Sequence, residues 1–164
     1  MAVRVQTGDF DLTREVAQLR AAQGGRAAQI GAIATFIGTV RDVNASAGLT
    51  HGVAAMTLEH YPGMTERALE NIVVEAKSRW NIFDALVIHR VGALLPQDQI
   101  VLVVTLGAHR GEAFTACEFI MDYLKTRAPF WTKERTAAGE HWVDARISDD
   151  AAADKWAAPA PAAR

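Results

Sequence analysis

The chain has 164 residues, of which 50% are hydrophobic and 22% charged, with 12 Gly and 5 Pro. This length is typical of one domain, and the composition excludes a disordered chain, a collagen-like repeat and a low-complexity scaffold. Seventeen Lys and Arg against 19 Asp and Glu give a net charge of −2, which does not favour nucleic acid or an anionic membrane as a partner. A soluble globular protein is therefore expected.

Neither a membrane span nor an internal disulfide is expected. The longest uncharged apolar stretch, from Ala27 to Val40, has about 14 residues, whereas a spanning helix needs roughly 20. The first ten residues contain no apolar segment of the kind that secretory signals carry. The single cysteine cannot form an internal disulfide and fits a reducing compartment. The predicted location is the cytoplasm.

The first part of the chain predicts a helix followed by two strands. Asp11 can cap a helix that continues to about Ala22, and the Gly24-Gly25 pair then stops it. Residues 27–42 are rich in Ile, Val, Thr and Phe and predict a long strand, and residues 53–61 predict a second one. Uncharged residues around Asn44 to Gly48 predict a loop between them. The two strands are therefore expected to form a hairpin.

The middle of the chain predicts two helices with two strands between them. Apolar residues at helical spacing predict a helix from Pro62 to Trp80 and another from Gly111 to Pro129. Residues 85–94 and 100–109 predict strands joined by a turn at Pro96 to Asp98. The second of these strands is apolar almost throughout, which is typical of a strand near the middle of a sheet.

The last part of the chain predicts a hairpin and a tail. Residues 129–136 and 141–147 predict two strands that flank Ala138-Gly139. We expect one domain over residues 1–148, and a flexible alanine- and proline-rich tail with a frayed helix over residues 149–164. Hairpins that alternate with three main helices predict an α+β fold with a largely antiparallel or mixed sheet.

Several common catalytic sites are excluded because their motifs are missing. The sequence has no GxSxG elbow, no phosphate-binding P-loop, no GxGxxG after a strand and no HExxH pair. Cys117 lies on the apolar stripe of its helix, where burial makes a thiol unreactive, so a core cysteine is expected. His60 and His89 lie in apolar strand segments, and no spacing of histidines and carboxylates indicates a metal site.

Cationic residues gather between positions 108 and 146, and for most of them a solvated basic face is the better interpretation. Two interpretations are open for Lys125. It falls beside Phe114 and Met121 at the edge of an apolar stripe, so it is either solvated or partly desolvated. Desolvation lowers a lysine pKa and would let Lys125 act as a base, a nucleophile or a close partner of an anion.

A phosphate-binding site is expected at the junction between the strand ending near residue 109 and the following helix. His109 and Arg110 stand there beside free helix N–H groups, so the helix dipole and the guanidinium can act on the same anion. Arg41 ends another strand and is expected to converge on the same place. These residues predict an anion pocket that contains a lysine.

Longer strings identify a family. FIGTVRD, LEHYPGMTERAL, VIHRVGAL, AHRGEAF, and IMDYLKTRAPFWTKE followed by HWVDAR, occur in this order. From about Phe10 to Ser148 the chain resembles the large subunit of molybdopterin synthase, the MoaE family, and the combination of AHR, DYLK and APFW is specific to that family. The resemblance implies an α/β-hammerhead fold and a homodimer.

The resemblance also implies an activity, a sulfurtransferase reaction of molybdenum cofactor biosynthesis. Two sulfurs would pass from the C-terminal Gly-Gly thiocarboxylate of a MoaD-type ubiquitin-like carrier to cyclic pyranopterin monophosphate, giving molybdopterin. Each subunit of the homodimer would bind one carrier, which makes a heterotetramer. No permanently bound cofactor and no metal are implied, and no catalytic cysteine is needed, because the partner supplies the sulfur.

The positions that match the family's site are implied to share its roles. Lys125, the lysine of DYLK, would be the main catalytic residue and would handle proton transfer or transient charge. Two segments would hold the cyclic phosphate and the pterin, one of them supplied in the family by the other protomer, and a third segment follows APFW. These three segments are Thr39, Val40 and Arg41; His109 and Arg110; and Thr132, Lys133 and Glu134.

Thr132 departs from the family pattern. Many members have two successive cations after APFW, the first being a lysine important to the reaction, whereas here Thr132 comes first and Lys133 second. Because side chains alternate along a strand, Lys133 is expected to face away from Thr132 and Glu134. Either a local bulge turns Lys133 inward, or Thr132 contributes only a hydroxyl and the reaction depends more on Lys125 and Arg41.

Two alternatives to an active synthase are open. The first is a catalytically weak paralogue that binds the carrier or a pterin phosphate without efficient sulfur transfer. The second is an unrelated α+β module whose basic pocket binds another phosphate compound. Sulfur incorporation separates the first alternative from an active enzyme, and tighter binding of a nucleotide or sugar phosphate than of the pterin would favour the second.

Overall fold

The structure, a computed structural model, describes residues 2–42, 53–143 and 147–157. None of the helices in these ranges combines the length and apolar character that a membrane crossing needs. In chain order the elements are β1 (Val3–Gln6), α1 (Leu12–Ala21), a 3₁₀ helix (Gly24–Gln29), β2 (Ala32–Thr39), β3 (Val53–His60), α2 (Met64–Arg79), β4 (Ile82–Arg90), β5 (Gly92–Leu94), β6 (Gln99–Gly107), α3 (Arg110–Arg127), β7 (Phe130–Thr136), β8 (Gly139–Trp142) and α4 (Ile147–Asp154).

The strands form two four-stranded sheets. The strand order is β1-β4-β6-β2 in the first sheet and β5-β3-β7-β8 in the second. β1 runs parallel to β4, and the other pairs are antiparallel. The predicted α+β class with a mixed sheet is confirmed, and β6 lies inside its sheet as expected. The sequence did not predict β1, because four residues are too few to show a clear apolar alternation.

The predicted hairpin of the first two strands is wrong. β2 pairs with β6 in the first sheet, whereas β3 pairs with β5 and β7 in the second. β2 also begins later than predicted, because residues 24–29 form the 3₁₀ helix, which starts at Gly24 with φ +58°. Pairing with β6 packs β2 against α3. A hairpin between β2 and β3 would not provide this contact with the helix. The loop predicted around Asn44 lies outside the described residues.

Helices cover both faces of the first sheet. On one face, Leu69 of α2 and Phe119 of α3 join the main core cluster, and on the other face Leu86 and Leu102 pack with residues of α1. Cys117 lies in the main cluster, and burial raises the pKa of its thiol to about 11. The prediction of a core cysteine is thereby confirmed, and the low reactivity of its thiol stays a prediction.

A third apolar cluster joins the two sheets. Its buried members come from the end of β2, from β3 and from the segment around β5, with β1, β6 and β7 packed against it. It holds the beginning of β7 near the end of β2, although these segments are distant in sequence. The buried members are Val40, Met56, Leu58, Val91 and Leu94.

The segment after Ser148 differs from the loose tail predicted for residues 149–164. The ring of Trp156 lies edge-to-face against Trp80 and Phe119, with centroid separations of 5.4 and 5.6 Å. Its Nε1 donates a hydrogen bond to Asp122 Oδ2 at 2.7 Å. Trp156 therefore packs this part of the chain against α2 and α3. The alanine-rich composition of the segment did not indicate this, because a single tryptophan makes the contacts. Residues 158–164 lie outside the described ranges.

Candidate active site

A cavity of about 620 Å³ opens where the two sheets meet, between the end of β2, the last turn of α3 and strand β7. This volume lies within the range of small-molecule sites, roughly 300–1,000 Å³. The cavity brings together most of the residues that the sequence predicted for the site. These are Thr39, Val40, Arg41, Lys125, Thr132 and Glu134.

A β-bulge in β6 lies opposite the end of β2, because Ile100 has no partner in the pairing of the two strands. The pairing with β6 shifts after Gly38, which opposes Val101, so that Thr39 opposes Gln99. A β-carbon on Gly38 would lie 2.8 Å from Val101 Cγ1, so glycine is needed for this close approach. A bulge bends the strand that carries the extra residue and increases the local twist of the pair. Thr39 and Arg41, which follow this shift, both line the cavity.

Val40 is held by the turn that precedes β6. Its N–H donates to Asp98 O at 2.9 Å, and its carbonyl accepts a hydrogen bond from the Gln97 N–H at 2.8 Å. Gln97 has a φ of 78°, a conformation that is uncommon for residues other than glycine. The side chain of Val40 is buried. These contacts fix the backbone from which Arg41 reaches the cavity.

Lys125 enters the cavity from the last turn of α3. The adjacent Leu124 and the preceding Met121 are buried in the main core cluster, so this turn is firmly packed. Lys125 itself is exposed, which favours the solvated of the two interpretations considered from the sequence. The reason is that the apolar stripe ends beside Lys125 and the cavity opens to solvent at this turn.

Strand β7 forms one wall of the cavity. Phe130, Trp131, Thr132 and Glu134 line it, and Trp131 is 48% exposed. The N–H of Val143, another lining residue, donates to Thr132 O at 2.8 Å, which ties the end of β8 to this wall. The wall therefore combines aromatic rings with a hydroxyl and a carboxylate.

Lys133 lies outside the cavity, as the alternation of side chains along β7 predicts. The register of β3 with β7 is continuous over residues 130–135, so no bulge turns Lys133 inward. Its Nζ lies 3.0 Å from Glu140 Oε2 and 5.6 Å from the ring centroid of Trp142. The group that this part of β7 presents to the cavity is therefore Thr132.

His109 and Arg110 do not reach the cavity of their own chain. They are exposed at the beginning of α3, and at a rise of about 1.5 Å per residue Lys125 is roughly 22 Å further along that helix. Arg41 lies at the opposite end of the first sheet, because β2 and β6 are antiparallel. The expectation that Arg41 converges on His109 and Arg110 is therefore wrong within one chain.

His89 is a cavity residue that the sequence analysis missed. Its side chain is buried in the cavity wall, its Nδ1 lies 2.8 Å from Arg90 O, and its ring stacks on Phe130 with centroids 3.8 Å apart. Burial lowers the pKa of His89 to about 4, so the ring is neutral at pH 7. One feature of the sequence could have identified it: a histidine on the face of β4 that otherwise carries the apolar residues Ala85 and Val87.

Charges of both signs line the cavity. Arg41 and Lys125 are the cationic members, and Glu134 and Asp149 are the anionic ones. Asp149 comes from α4, within the segment predicted as a tail, and was not predicted as a site residue. Glu134 is buried, and its Oε2 lies 3.9 Å from His141 Nε2. Across the described ranges, no group of three or more His, Cys, Asp or Glu could hold a metal ion.

Comparison with known proteins gives consistent similarities. A sequence model of the MoaE protein family matches residues 5–127. The molybdopterin synthase catalytic subunit of Ralstonia nicotianae is 63% identical over 154 residues, which cover 94% of this chain and 83% of that protein. The structure of a molybdopterin biosynthesis MoaE protein from Burkholderia ambifaria has a TM-score of 0.76 and 57% identity, covering 96% of this chain and 99% of the other.

A more distant similarity concerns the fold alone. A protein–protein complex of subunits 1 and 2 of the molybdopterin-converting factor from Helicobacter pylori contains a chain with a TM-score of 0.67 and 22% identity. The match covers 89% of this chain and 92% of that one.

Proposed function

The chain belongs to the MoaE protein family and has the sulfurtransferase activity of a molybdopterin synthase catalytic subunit; from this premise we propose that its cavity is the site of sulfur transfer. The observation that carries the proposal is the convergence of Arg41, Lys125 and Thr132 from three separate elements in one cavity of substrate size. The substrate is cyclic pyranopterin monophosphate, and the sulfur donor is the thiocarboxylate of a MoaD-type carrier. The proposed compartment is the cytoplasm, which a chain with one cysteine fits.

The lining fits both parts of this substrate. The cyclic phosphate is an anion, and Arg41 and Lys125 supply the cations that can bind it. The pterin is a flat heterocycle, and Phe130, Trp131 and Trp142 supply aromatic surface in the same cavity. The cavity therefore offers an anion site and an apolar site side by side.

The chemistry needs positioning and charge stabilisation more than a nucleophile from this chain. The thiocarboxylate is already a sulfur nucleophile, and it forms a C–S bond to a carbon of the pterin side chain while a C–O bond of that carbon breaks. The oxygen leaves with the opening cyclic phosphate in one transfer and as water in the other. The thiocarboxylate's own C–S bond is later broken by water, so the carrier ends as a carboxylate. As the cyclic phosphate opens, Arg41 stabilises the developing charge, and the Lys125 ammonium handles proton transfer or transient charge at the attacked carbon.

The proposed partner is the small carrier, whose C-terminal Gly-Gly enters the cavity. The related fold from Helicobacter pylori is part of a complex between two subunits. In this chain, Trp131 and Trp142 are 48% and 52% exposed beside the cavity, and exposed aromatic groups of this kind are typical of protein interfaces. A carrier tail in the cavity would also shield Lys125 from solvent.

We further propose a homodimer that binds two carriers. Among the described residues β2 pairs with β6 alone, and its exposed Ile33 and Phe36 lie on a strand packed against α3, where Phe114 is also exposed. An open edge with apolar side chains suits pairing with a second copy. Such a dimer would allow His109 and Arg110 of one copy to approach the cavity of the other.

A single-turnover assay tests the proposal. The purified protein is mixed with thiocarboxylated carrier and cyclic pyranopterin monophosphate, and the dithiolene product is followed by mass. Two carriers consumed per pterin is the expected stoichiometry. Carrier bound without sulfur transfer would instead indicate the weak paralogue, and Thr132→Lys would then be expected to restore turnover.

Lys125→Ala tests the role of the lysine in the same assay. Loss of product with unchanged carrier binding is the expected result. Lys77→Ala is the matched control, because Lys77 also lies near the end of a helix but pairs with Asp84 at 2.9 Å outside the cavity. Wild-type product formation by Lys125→Ala would remove this residue from the mechanism.

A further inference from the structure

His89 is a polar group on an otherwise apolar strand face. On β4 the same face carries Ala85 and Val87, which belong to the main core cluster. Burying an imidazole there costs free energy unless its polar atoms find partners. A purely structural position would be filled more favourably by another aliphatic side chain. The histidine therefore requires a reason beyond packing.

The contacts of His89 define its tautomer and hold its ring in place. A carbonyl oxygen only accepts hydrogen bonds, so the 2.8 Å contact with Arg90 O requires Nδ1 to be the protonated nitrogen. In the neutral ring Nε2 is then an acceptor. Stacking on Phe130, with an angle of 20° between the rings, fixes the plane of the imidazole. The ring is thus held in the cavity wall before any ligand binds.

His89 and its stacking partner both line the cavity that holds Arg41 and Lys125. The two cations are hydrogen-bond donors and suit the anionic part of a ligand, whereas Glu134, Asp149 and His89 are side chains of the lining that can accept hydrogen bonds. A pterin also carries N–H groups, which need acceptors when they leave water. A neutral imidazole meets this need without the like-charge repulsion that a cationic ring would create beside Lys125.

We infer that His89 is a substrate-binding residue of this cavity, whose Nε2 accepts a hydrogen bond from an N–H group of the pterin. The inference rests on the proposed function and adds a specificity contact to it. It favours the pterin over phosphate compounds that carry no N–H donor, such as inorganic phosphate or a sugar phosphate.

Two variants separate the acceptor from the ring. His89→Phe keeps an aromatic ring that can stack on Phe130 but removes Nε2, whereas His89→Gln can place its amide oxygen near the position of Nε2. We expect His89→Phe to raise the KM for cyclic pyranopterin monophosphate roughly five- to tenfold, the value of one hydrogen bond, with kcat changed less than about twofold. His89→Gln is expected to recover most of this loss, and carrier binding should be unchanged in both variants.

Direct titration of the pterin into each protein provides a second readout, because a change confined to stability would not alter affinity in the folded protein. An unchanged KM and affinity in His89→Phe, an equal loss in both variants, or a loss confined to kcat would overturn the inference while leaving the proposed function intact. A wild-type protein that neither binds nor converts the pterin would overturn both.

Discussion

Replacement of Trp156 by alanine is expected to destabilise the protein substantially, although the residue lies in a segment rich in alanine near the end of the chain. The substitution removes two edge-to-face ring contacts, with Trp80 and Phe119, and the hydrogen bond from Nε1 to the Asp122 carboxylate. Asp122 lies one turn before Lys125 on α3, and α4 carries Asp149 into the cavity wall. The contact therefore links the end of the chain to the site.

The size of the effect follows from these contacts. Two aromatic pairs contribute about 1–3 kcal/mol together, and a hydrogen bond to a charged group about 1.5–3 kcal/mol. Trp156 is only partly buried, and Asp122 can be solvated after the substitution, so the lower half of the sum applies. We expect a loss of about 3 kcal/mol, which corresponds to a Tm decrease of roughly 6–12 °C for a chain of this size.

Differential scanning calorimetry of three variants tests this estimate. Trp156→Ala should show the full decrease, and Trp156→Phe about half of it, because phenylalanine keeps ring contacts but has no N–H donor. Lys133→Ala is the control, since the ion pair of Lys133 with Glu140 joins two largely exposed side chains on β7 and β8 and contributes less than about 1 kcal/mol. A Tm for Trp156→Ala within about 2 °C of the wild type would show that this segment is the loose tail predicted from composition.

Three further predictions follow from single side chains. Lys133→Ala should change the rate of sulfur transfer less than about threefold and the free energy of unfolding by less than about 1 kcal/mol, because the ion pair of Lys133 with Glu140 lies outside the cavity. A hundredfold loss of product would instead place Lys133 in the site. The free energy of unfolding should be highest above about pH 6.5 and decrease by roughly 3 kcal/mol towards pH 4, because the unfolded chain protonates His89 at its ordinary pKa of 6.5 and the folded protein only at about 4. Urea unfolding of His89→Phe at several pH values checks this, and an identical pH dependence in variant and wild type would contradict it. Cys117, whose pKa burial raises to about 11, should react with a thiol reagent only as fast as the protein opens, so labelling at the rate of a free thiol in the absence of denaturant would be inconsistent with its position in the core.

Much of the local structure was predictable because its determinants lie within single segments. Asp11 caps α1 through its Oδ1, which accepts a hydrogen bond from the Arg14 N–H at 2.8 Å, as the sequence predicted. Apolar residues at helical spacing predicted α2 and α3 to within a few residues. The continuous apolar run of β6 predicted its place inside the sheet. Each of these signals acts over a few turns or one strand.

The family strings predicted most of the cavity, but not its geometry. Arg41, Lys125 and Thr132 lie in motifs that can be read in order along the chain, and the structure brings them together. Their convergence depends on the bulge opposite the end of β2 and on the cluster that joins the two sheets. The outward direction of Lys133 was predictable, because alternation along a strand is a local property.

The sequence by itself determined the class of fold, the three main helices and the residue types of the site, because propensity, capping and periodicity act between neighbours along the chain. Only the tertiary structure decided that β2 pairs with β6, that His89 lines the cavity and that Trp156 docks on α3. These features depend on contacts between residues far apart in the sequence, and the burial that stabilises them exists only after the two sheets and the helices have packed together.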